Sequence, residues 1–365
     1  MFEPVEEKYQ ARLAVFGIGG GGCNAINHMI ESNLKGMEFY AINTDQQALS
    51  MSKAEHKIQI GPQTTGGLGS GGNPAVGRKA CEESEAEIKE ILKDLDMVFL
   101  TAGEGGGTGT GATPLIAEWA KAAGILTVAV VTKPFDFEGQ VRKRQAEMGV
   151  AELRERVDTL LVVPNQKLLS LQPDLPVTQA FRIPDEILLN ATRGIADLIT
   201  RPGLINLDFA DVRAVMAEKG HALMGMGIAR GENRAIEAVQ KAISSPLIED
   251  VSFQGAKGIL LNITGGEDLT LQEVNEASAV IAQANADANI IFGVVTDPEL
   301  GDAIKVTIIA TGIEEPPPKV PEIYDLLSPQ RAEIETPTFK RQEVIPRNFK
   351  RDDIDVPTFL RRQLD

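Results

Sequence analysis

Residues 103–114 read GEGGGTGTGATP, and five of the first seven carry no side chain. Glycine loses more backbone freedom on folding than any other residue, so such a run needs a compensating use. It lies between an apolar strand pattern, MVFLTAG, and a helical pattern, TPLIAEWAKAAG. Free N–H groups at a helix start, together with the helix dipole, favour an anion. Bare backbone at Gly105, Gly106, Gly107, Gly109 and Gly111 can wrap oxygen atoms closely, and the hydroxyls of Thr108 and Thr110 can donate to more of them. This is phosphate chemistry without a lysine, because the pattern G-x-x-x-x-G-K-[ST] occurs nowhere in the chain.

Two more glycine clusters precede helical patterns. GIGGGGCNA contains Gly17-x-Gly19-x-x-Gly22, and Asp45 follows at the end of the next strand pattern. Alone, that spacing predicts a nicotinamide-dependent oxidoreductase. TTGGLGSGGNP, residues 64–74, is placed to close over a terminal phosphate. A dinucleotide needs one such loop at its pyrophosphate; three on one sheet edge suit a triphosphate better. Any one of them alone also reads as a flexible surface turn.

Hydrolysis of a triphosphate further needs a cation on the β- and γ-oxygens and a group that orients water. Residues 1–175 offer no clear water-positioning group beside the glycine loops. GLINLDFADV, residues 203–212, offers Asp208 and Asp211, which share a face if a helix begins near Asp208. The plain alternative is that Asp208 is a helix N-cap.

The elements that must position these residues follow from periodicity. Between residues 11 and 165, the strand patterns LAVFGIG, MEFYAINT, HKIQIG, DMVFLTAG, ILTVAVVTK and VDTLLVVP alternate with helical ones. That alternation predicts an α/β fold with a parallel sheet, its ligands beyond the carboxyl ends of the strands. One long helix is expected over 178–202. A smaller α+β unit is expected over 203–313, with strands near GHALMGMGIARG, GAKGILLNITGG, ANIIFGVVTD and AIKVTIIATG. Residues 1–10 read as a flexible N-terminus and 314–351 as a proline-rich disordered linker. Residues 352–365, DDIDVPTFLRRQLD, set Ile354, Val356, Phe359 and Leu360 beside Arg361 and Arg362, a pattern that folds on a partner.

Composition excludes several classes. A formal charge of −16 argues against a nucleic-acid binder, which would need clustered Lys and Arg. Hydrophobic residues make up 43% and aromatic ones 5%, so the core is largely aliphatic. Cys23 and Cys81 suggest no disulfide framework, and no metal-type Cys/His spacing exists. Neither a signal peptide nor an apolar run of ~18 residues is evident, so a cytoplasmic protein without direct membrane insertion is expected.

The stretch GGGTGTG, with GIGGGGCNAI, NTDQQAL, GLGSGGNPAVG, VVTKPFDFEG, GLINLDFADV and DIDVPTFLRRQ, closely resembles the tubulin/FtsZ family of GTPases over about residues 10–313 and again at the extreme C-terminus. The resemblance implies a tubulin-like Rossmann-type GTPase domain over 11–177. It also implies GTP/GDP as ligand with Mg²⁺ and K⁺, and head-to-tail polymerisation into filaments of the bacterial division ring at mid-cell. Carried over by position, it places Gly20, Gly21, Gly22, Cys23 and Asn24 around the nucleotide. Gly71 and Gly72 would lie near the γ-phosphate, and Gly106, Gly107, Thr108 and Gly109 at the α- and β-phosphates. Glu138 and Arg142 would contact the ribose, Asn165 and Asp185 the guanine, and Phe181 would stack beside the base. Without the resemblance, Asn165 and Asp185 read as caps and Glu138 with Arg142 as a helical i, i+4 pair. It makes Asp208 and Asp211 the catalytic groups, entering the site of the next subunit, and residues 352–365 the peptide that docks membrane-tethering division proteins. Cys23, Gly66, Glu104 and Gln166 depart from the family's commonest pattern, and Glu104 is expected to lower nucleotide affinity somewhat.

Overall fold

Parallel strands need long crossovers, and the order of elements supplies them. The computed structural model describes residues 11–171, 176, 180, 182–201, 203–205, 207–218, 221–245 and 255–313. In the first half β1 (Leu13–Ile18), α1 (Gly19–Glu31), β2 (Glu38–Asn43), α2 (Gln46–Ser50), β3 (His56–Gln59), α3 (Pro62–Thr65), α4 (Pro74–Glu83) and α5 (Glu85–Leu92) are followed by β4 (Met97–Gly103), α6 (Thr108–Ala122), β5 (Leu126–Lys133), α7 (Gln140–Arg154), β6 (Thr159–Pro164) and α8 (Asn165–Leu171). Then come α9 (Arg182–Thr200), α10 (Phe209–Met216), β7 (His221–Arg230), α11 (Arg234–Ile243), β8 (Gly258–Gly265), α12 (Leu271–Ala284), β9 (Asn289–Thr296) and β10 (Ala303–Ile313).

The strands form one sheet in the order β3-β2-β1-β4-β5-β6-β7-β10-β8-β9. β1 to β6 pair in parallel. β10 runs antiparallel to β7 and β8. The two parts join through a single parallel register pair, Leu161 with Ala222. Strand order therefore reverses between β1 and β4, where a crevice opens because the following helices leave on opposite faces. The packing bears this out: Ala25, Ile26 and Met29 of α1 share a core cluster with Val15, Phe99 and Val128. Ala112, Ile116 and Ala117 of α6 pack with Ala14, Phe16 and Leu100 on the other face. Successive strand residues alternate between the clusters, as the pleat requires.

α9 runs along the first cluster through Leu188, Leu189, Ala191, Ile195 and Leu198. It is also tied to the antiparallel strands, since Asn262 Nδ2 donates to the Gly194 carbonyl (3.0 Å) and Lys305 Nζ to Asn190 Oδ1 (2.9 Å). A third cluster, centred on Ile259, Leu261, Ile281, Val306 and Ile308, fills the space beneath α11 and α12. Buried Arg234 clamps that region, donating to Glu273, Asp268 and the Asp302 carbonyl. No helix among the described residues is long and apolar enough to cross a membrane.

Two boundaries differ from expectation. The helical pattern after GNP is broken at Ser84 into α4 and α5. α1 and α6 begin inside the glycine runs, at Gly19 and Thr108, so Gly19 to Gly22, Gly109 and Gly111 belong to helical first turns while Gly105 to Gly107 form a turn ahead of α6. The reason is steric: a Cβ at Gly22 would lie 2.3 Å from the Thr101 carbonyl oxygen, and one at Gly111 2.2 Å from that of Pro74. The expected linker 314–351 and peptide 352–365, like residues 1–10, lie outside the described residues.

The α4–α6 crossing yields a test. A Cβ at Gly77 would meet the Gly107 carbonyl oxygen at 2.3 Å and Thr108 Cα at 2.9 Å, both backbone atoms that cannot swing aside. Gly77→Ala is expected to destabilise the fold by about 1–3 kcal/mol, the usual cost of overpacking. Denaturant unfolding checks this; an unchanged midpoint would refute the close crossing.

Candidate active site

A cleft of about 760 Å³ opens at the carboxyl ends of β1 and β4. Its floor and one wall are backbone from three segments: Gly20 and Gly21 in the first turn of α1, Gly106 to Gly109 entering α6, and Gly71 with Gly72. A Cβ on Gly20, Gly71 or Gly72 would meet nothing within 4 Å. Gly71 and Gly72 also hold φ of +60° and +72°, the left-handed region that glycine enters without strain. Free N–H groups of two helix starts thus converge on one space, an arrangement that takes anionic oxygens.

Hydroxyls tie these segments together. Thr108 Oγ1 lies 2.7 Å from Thr44 Oγ1 and 3.0 Å from Ser70 Oγ. Thr110 has a different duty: its Oγ1 accepts from the Gly105 N–H (2.8 Å) and so closes the glycine run on itself. Beneath that run Glu104 is buried, and burial pushes its carboxyl up to about 7 against the opposing pull of the Thr110 hydroxyl.

The other end of the cleft is lined by side chains. Arg142 Nη1 donates to Glu138 Oε2 (2.5 Å), while Glu138 Oε1 accepts from the Phe135 N–H (3.0 Å). Asn165 is 7% exposed, and its Oδ1 has no hydrogen-bond partner among the described residues. Burial pushes the Asp185 carboxyl up to about 7, and the nearby Arg182 charge only partly opposes this. Asn165 and Asp185 both face the cleft. A buried acceptor without a donor is costly, so the Asn165 Oδ1 favours a ligand that brings an N–H group, and the partly buried Asp185 carboxyl beside it can accept from the same ligand.

Of the residues expected around a nucleotide, Gly20, Gly21, Asn24, Gly71, Gly72, Gly106, Gly107, Thr108, Gly109, Glu138, Arg142, Asn165 and Asp185 line this cleft. Gly22 and Cys23 do not. Gly22 faces Thr101, and Cys23 is 3% exposed with its Sγ 3.6 Å from the Gly17 carbonyl oxygen. Burial pushes that thiol up to about 11, so it is inert. Phe181 lies outside the described residues. Asp208 and Asp211 are exposed on α10 and do not line the cleft; Asp208 Oδ1 caps the helix by accepting from the Asp211 N–H (2.8 Å). Asp45 lines the cleft but caps α2 through Ala48 N–H (3.1 Å), so this acid of the dinucleotide pattern is already engaged. Thr44 and Ser70 are cleft residues that sequence reasoning does not single out. Their signal is that polar residues after a parallel strand, here β2 and its neighbouring loop, face the ligand edge.

The model of the Tubulin/FtsZ family GTPase domain matches residues 12–173, and that of the FtsZ family C-terminal domain matches residues 220–314. Among solved structures, an FtsZ dimer from M. jannaschii, described as empty, is 47% identical with a TM-score of 0.80, over 83% of this chain and 88% of that one. The chain belongs to the FtsZ family. It is accordingly a GTPase of tubulin-like fold. A tryptophan-to-tyrosine mutant of M. jannaschii FtsZ matches at the same identity and TM-score, over 83% of this chain and 92% of that one. CetZ1 from Haloferax volcanii, a GDP-bound monomer, shares the fold at 21% identity and TM-score 0.72, over 89% of this chain and 99% of that one.

The desolvated base end of the cleft makes a measurable prediction. In nucleotide-free protein, carboxyl ¹³C NMR should show Asp185 titrating near pH 7, and Arg182→Ala should move it higher. Titration near the ordinary value of about 4 would contradict its burial.

Proposed function

We propose that the cleft binds GTP and GDP, and that hydrolysis is completed between head-to-tail subunits. On this reading Gly106, Gly107, Thr108 and Gly109 cradle the α- and β-phosphates, with Gly20, Gly21 and Asn24 beside them and Gly71 and Gly72 at the γ-phosphate. Glu138 and Arg142 hold the ribose, Asn165 and Asp185 read guanine, and Phe181 stacks on the base. The Asp185 carboxylate accepts from guanine N1–H and its exocyclic amine together, a pair that adenine does not offer. Such donors keep the carboxylate ionised. With the free group at about 7, guanine-nucleotide affinity is full above pH 7 and falls by up to about tenfold per unit as pH drops below it.

One observation carries the intermolecular reading: the two carboxylates suited to water activation, Asp208 and Asp211, sit exposed on α10 and off the cleft wall. A second subunit stacked on the cleft would bring them to the γ-phosphate, and a contact of that heterologous kind repeats into a filament. M. jannaschii FtsZ forms a dimer and CetZ2 from Haloferax volcanii a protofilament, which supports the reading.

No group of three or more metal-ligating side chains is gathered among the described residues. Mg²⁺ needs none, since phosphate oxygens and one or two carboxylates hold it, and it supplies charge neutralisation on the β- and γ-oxygens. Asp208 uses one oxygen as a cap and makes no ion pair among the described residues, nor does Asp211, so both fit a share in holding such a cation, with K⁺ beside it. Asp211 polarises the attacking water. The filaments build the bacterial division ring at mid-cell in the cytoplasm, and residues 352–365 bind membrane-tethering division proteins.

Asp211→Ala should lower GTP turnover by at least about a hundredfold, the scale of a lost acid–base group, while GTP affinity stays within twofold. Wild-type turnover in that variant would remove Asp211 from the chemistry.

A further inference from the structure

Glu104 lines the cleft immediately ahead of the glycine turn, yet it has no part in holding the nucleotide. It is 3% exposed, and neither carboxyl oxygen has a hydrogen-bond partner among the described residues. A charged side chain is almost never buried in that way without a partner. The niche is nonetheless fitted to it. Gly149 of α7 lacks a Cβ, which would stand 2.3 Å from Glu104 Oε2 and 2.6 Å from Thr110 Cγ2. The Glu104 N–H donates to the Thr132 carbonyl of β5 (2.9 Å), which fixes the residue at the strand end.

The surroundings supply no counter-charge. α6 offers the Thr110 hydroxyl, whose oxygen accepts from the Gly105 N–H and which makes no hydrogen bond to the carboxyl. α7 offers the Glu152 carboxylate, which repels, and Glu152 itself holds Arg78 of α4 (2.6 Å) and Arg156 (2.7 Å). Arg142, at the start of α7, is held by Glu138. A desolvated carboxyl without a cation favours its neutral form. Phosphates push the balance further the same way. Their negative charge would rest on Gly106 to Gly109, and a second negative charge beneath that turn is disfavoured in a site shielded from water.

We propose that Glu104 is a proton-linked determinant of phosphate binding: its carboxyl is neutral beneath an occupied turn, so nucleotide binding takes up a proton there. The inference rests on the nucleotide reading above and deepens it, because the proton lies outside the contacts that hold the nucleotide. The proton comes from solvent and joins a carboxyl oxygen. Burial holds the free group at about 7. Below that pH the carboxyl is already neutral and affinity is unaffected; above it the proton must be taken from solution, and affinity declines.

The test is calorimetry of GDP binding to the full chain at pH 8, in buffers of different ionisation enthalpy, which counts the protons taken up. The phosphates, with a second pKa of about 6, are ionised there, and so for the most part is Asp185. Wild type should take up about one proton, and its GDP affinity should fall about threefold from pH 7 to pH 8. Glu104→Gln, the uncharged isostere, should take up none, and its affinity should rise by no more than about twofold over that interval, the part that Asp185 supplies. Guanosine, which has no phosphates, should bind wild type without uptake. No uptake by wild type with GDP overturns the proposal, as does an uptake that Glu104→Gln leaves intact or that guanosine reproduces. Should Glu104→Gln not fold, the wild-type counts with GDP and guanosine decide alone. A wild type that binds no GDP at either pH would instead refute the nucleotide reading itself.

Discussion

Main chain meets main chain where β1 and β4 end, and the site exists because nothing projects between them. Gly22 abuts the Thr101 carbonyl, Gly77 that of Gly107 and Gly111 that of Pro74, each at a distance where a Cβ would collide. These contacts bring two helix starts and a left-handed glycine segment round a single space. The reversal of strand order supplies the opening, and core clusters on both faces of the sheet hold its rims. One methyl group on any of the three glycines would open a gap among the N–H groups, so the packing constraint and the anion site are one feature.

The far end of the cleft works by desolvation instead. Asn165 keeps a buried Oδ1 without a donor among the described residues, and burial raises the Asp185 carboxyl, so both are costly until a group with N–H donors enters. Asp185 stands near the start of α9, whose later turns are fastened to β8 and β10 through Gly194 and Asn190. The helix that presents Asp185 to the cleft is thus also attached to the antiparallel strands.

Much of this is legible in the chain. Alternating apolar strands and helices specify the parallel sheet because its strands are buried on both faces and read as unbroken apolar runs, as in MVFLTAG. The glycine runs mark the cleft, although Gly19 to Gly22, Gly109 and Gly111 belong to helical first turns, because a helix start and a loop have the same composition when Cβ atoms must be absent. Cys23 shows where position misleads: it adjoins the glycines yet faces the core, one residue of helical rotation away from Asn24 on the cleft wall. Thr44 and Ser70 escape such reading, since single hydroxyl residues leave no periodicity and their partner, Thr108, lies far along the chain. Asp208 as a cap is legible; its usefulness to another molecule cannot be written in one chain's spacing.

On the proposed function, the cleft binds the nucleotide while the catalytic carboxylates Asp208 and Asp211 come from the next subunit. The most direct measurement is GTP hydrolysis per molecule against protein concentration, with Mg²⁺ and K⁺ present and light scattering recorded in parallel. Negligible specific activity below a threshold concentration, rising together with scattering above it, is the predicted result. Specific activity that stays constant on dilution would place the catalytic group within one chain and contradict the account.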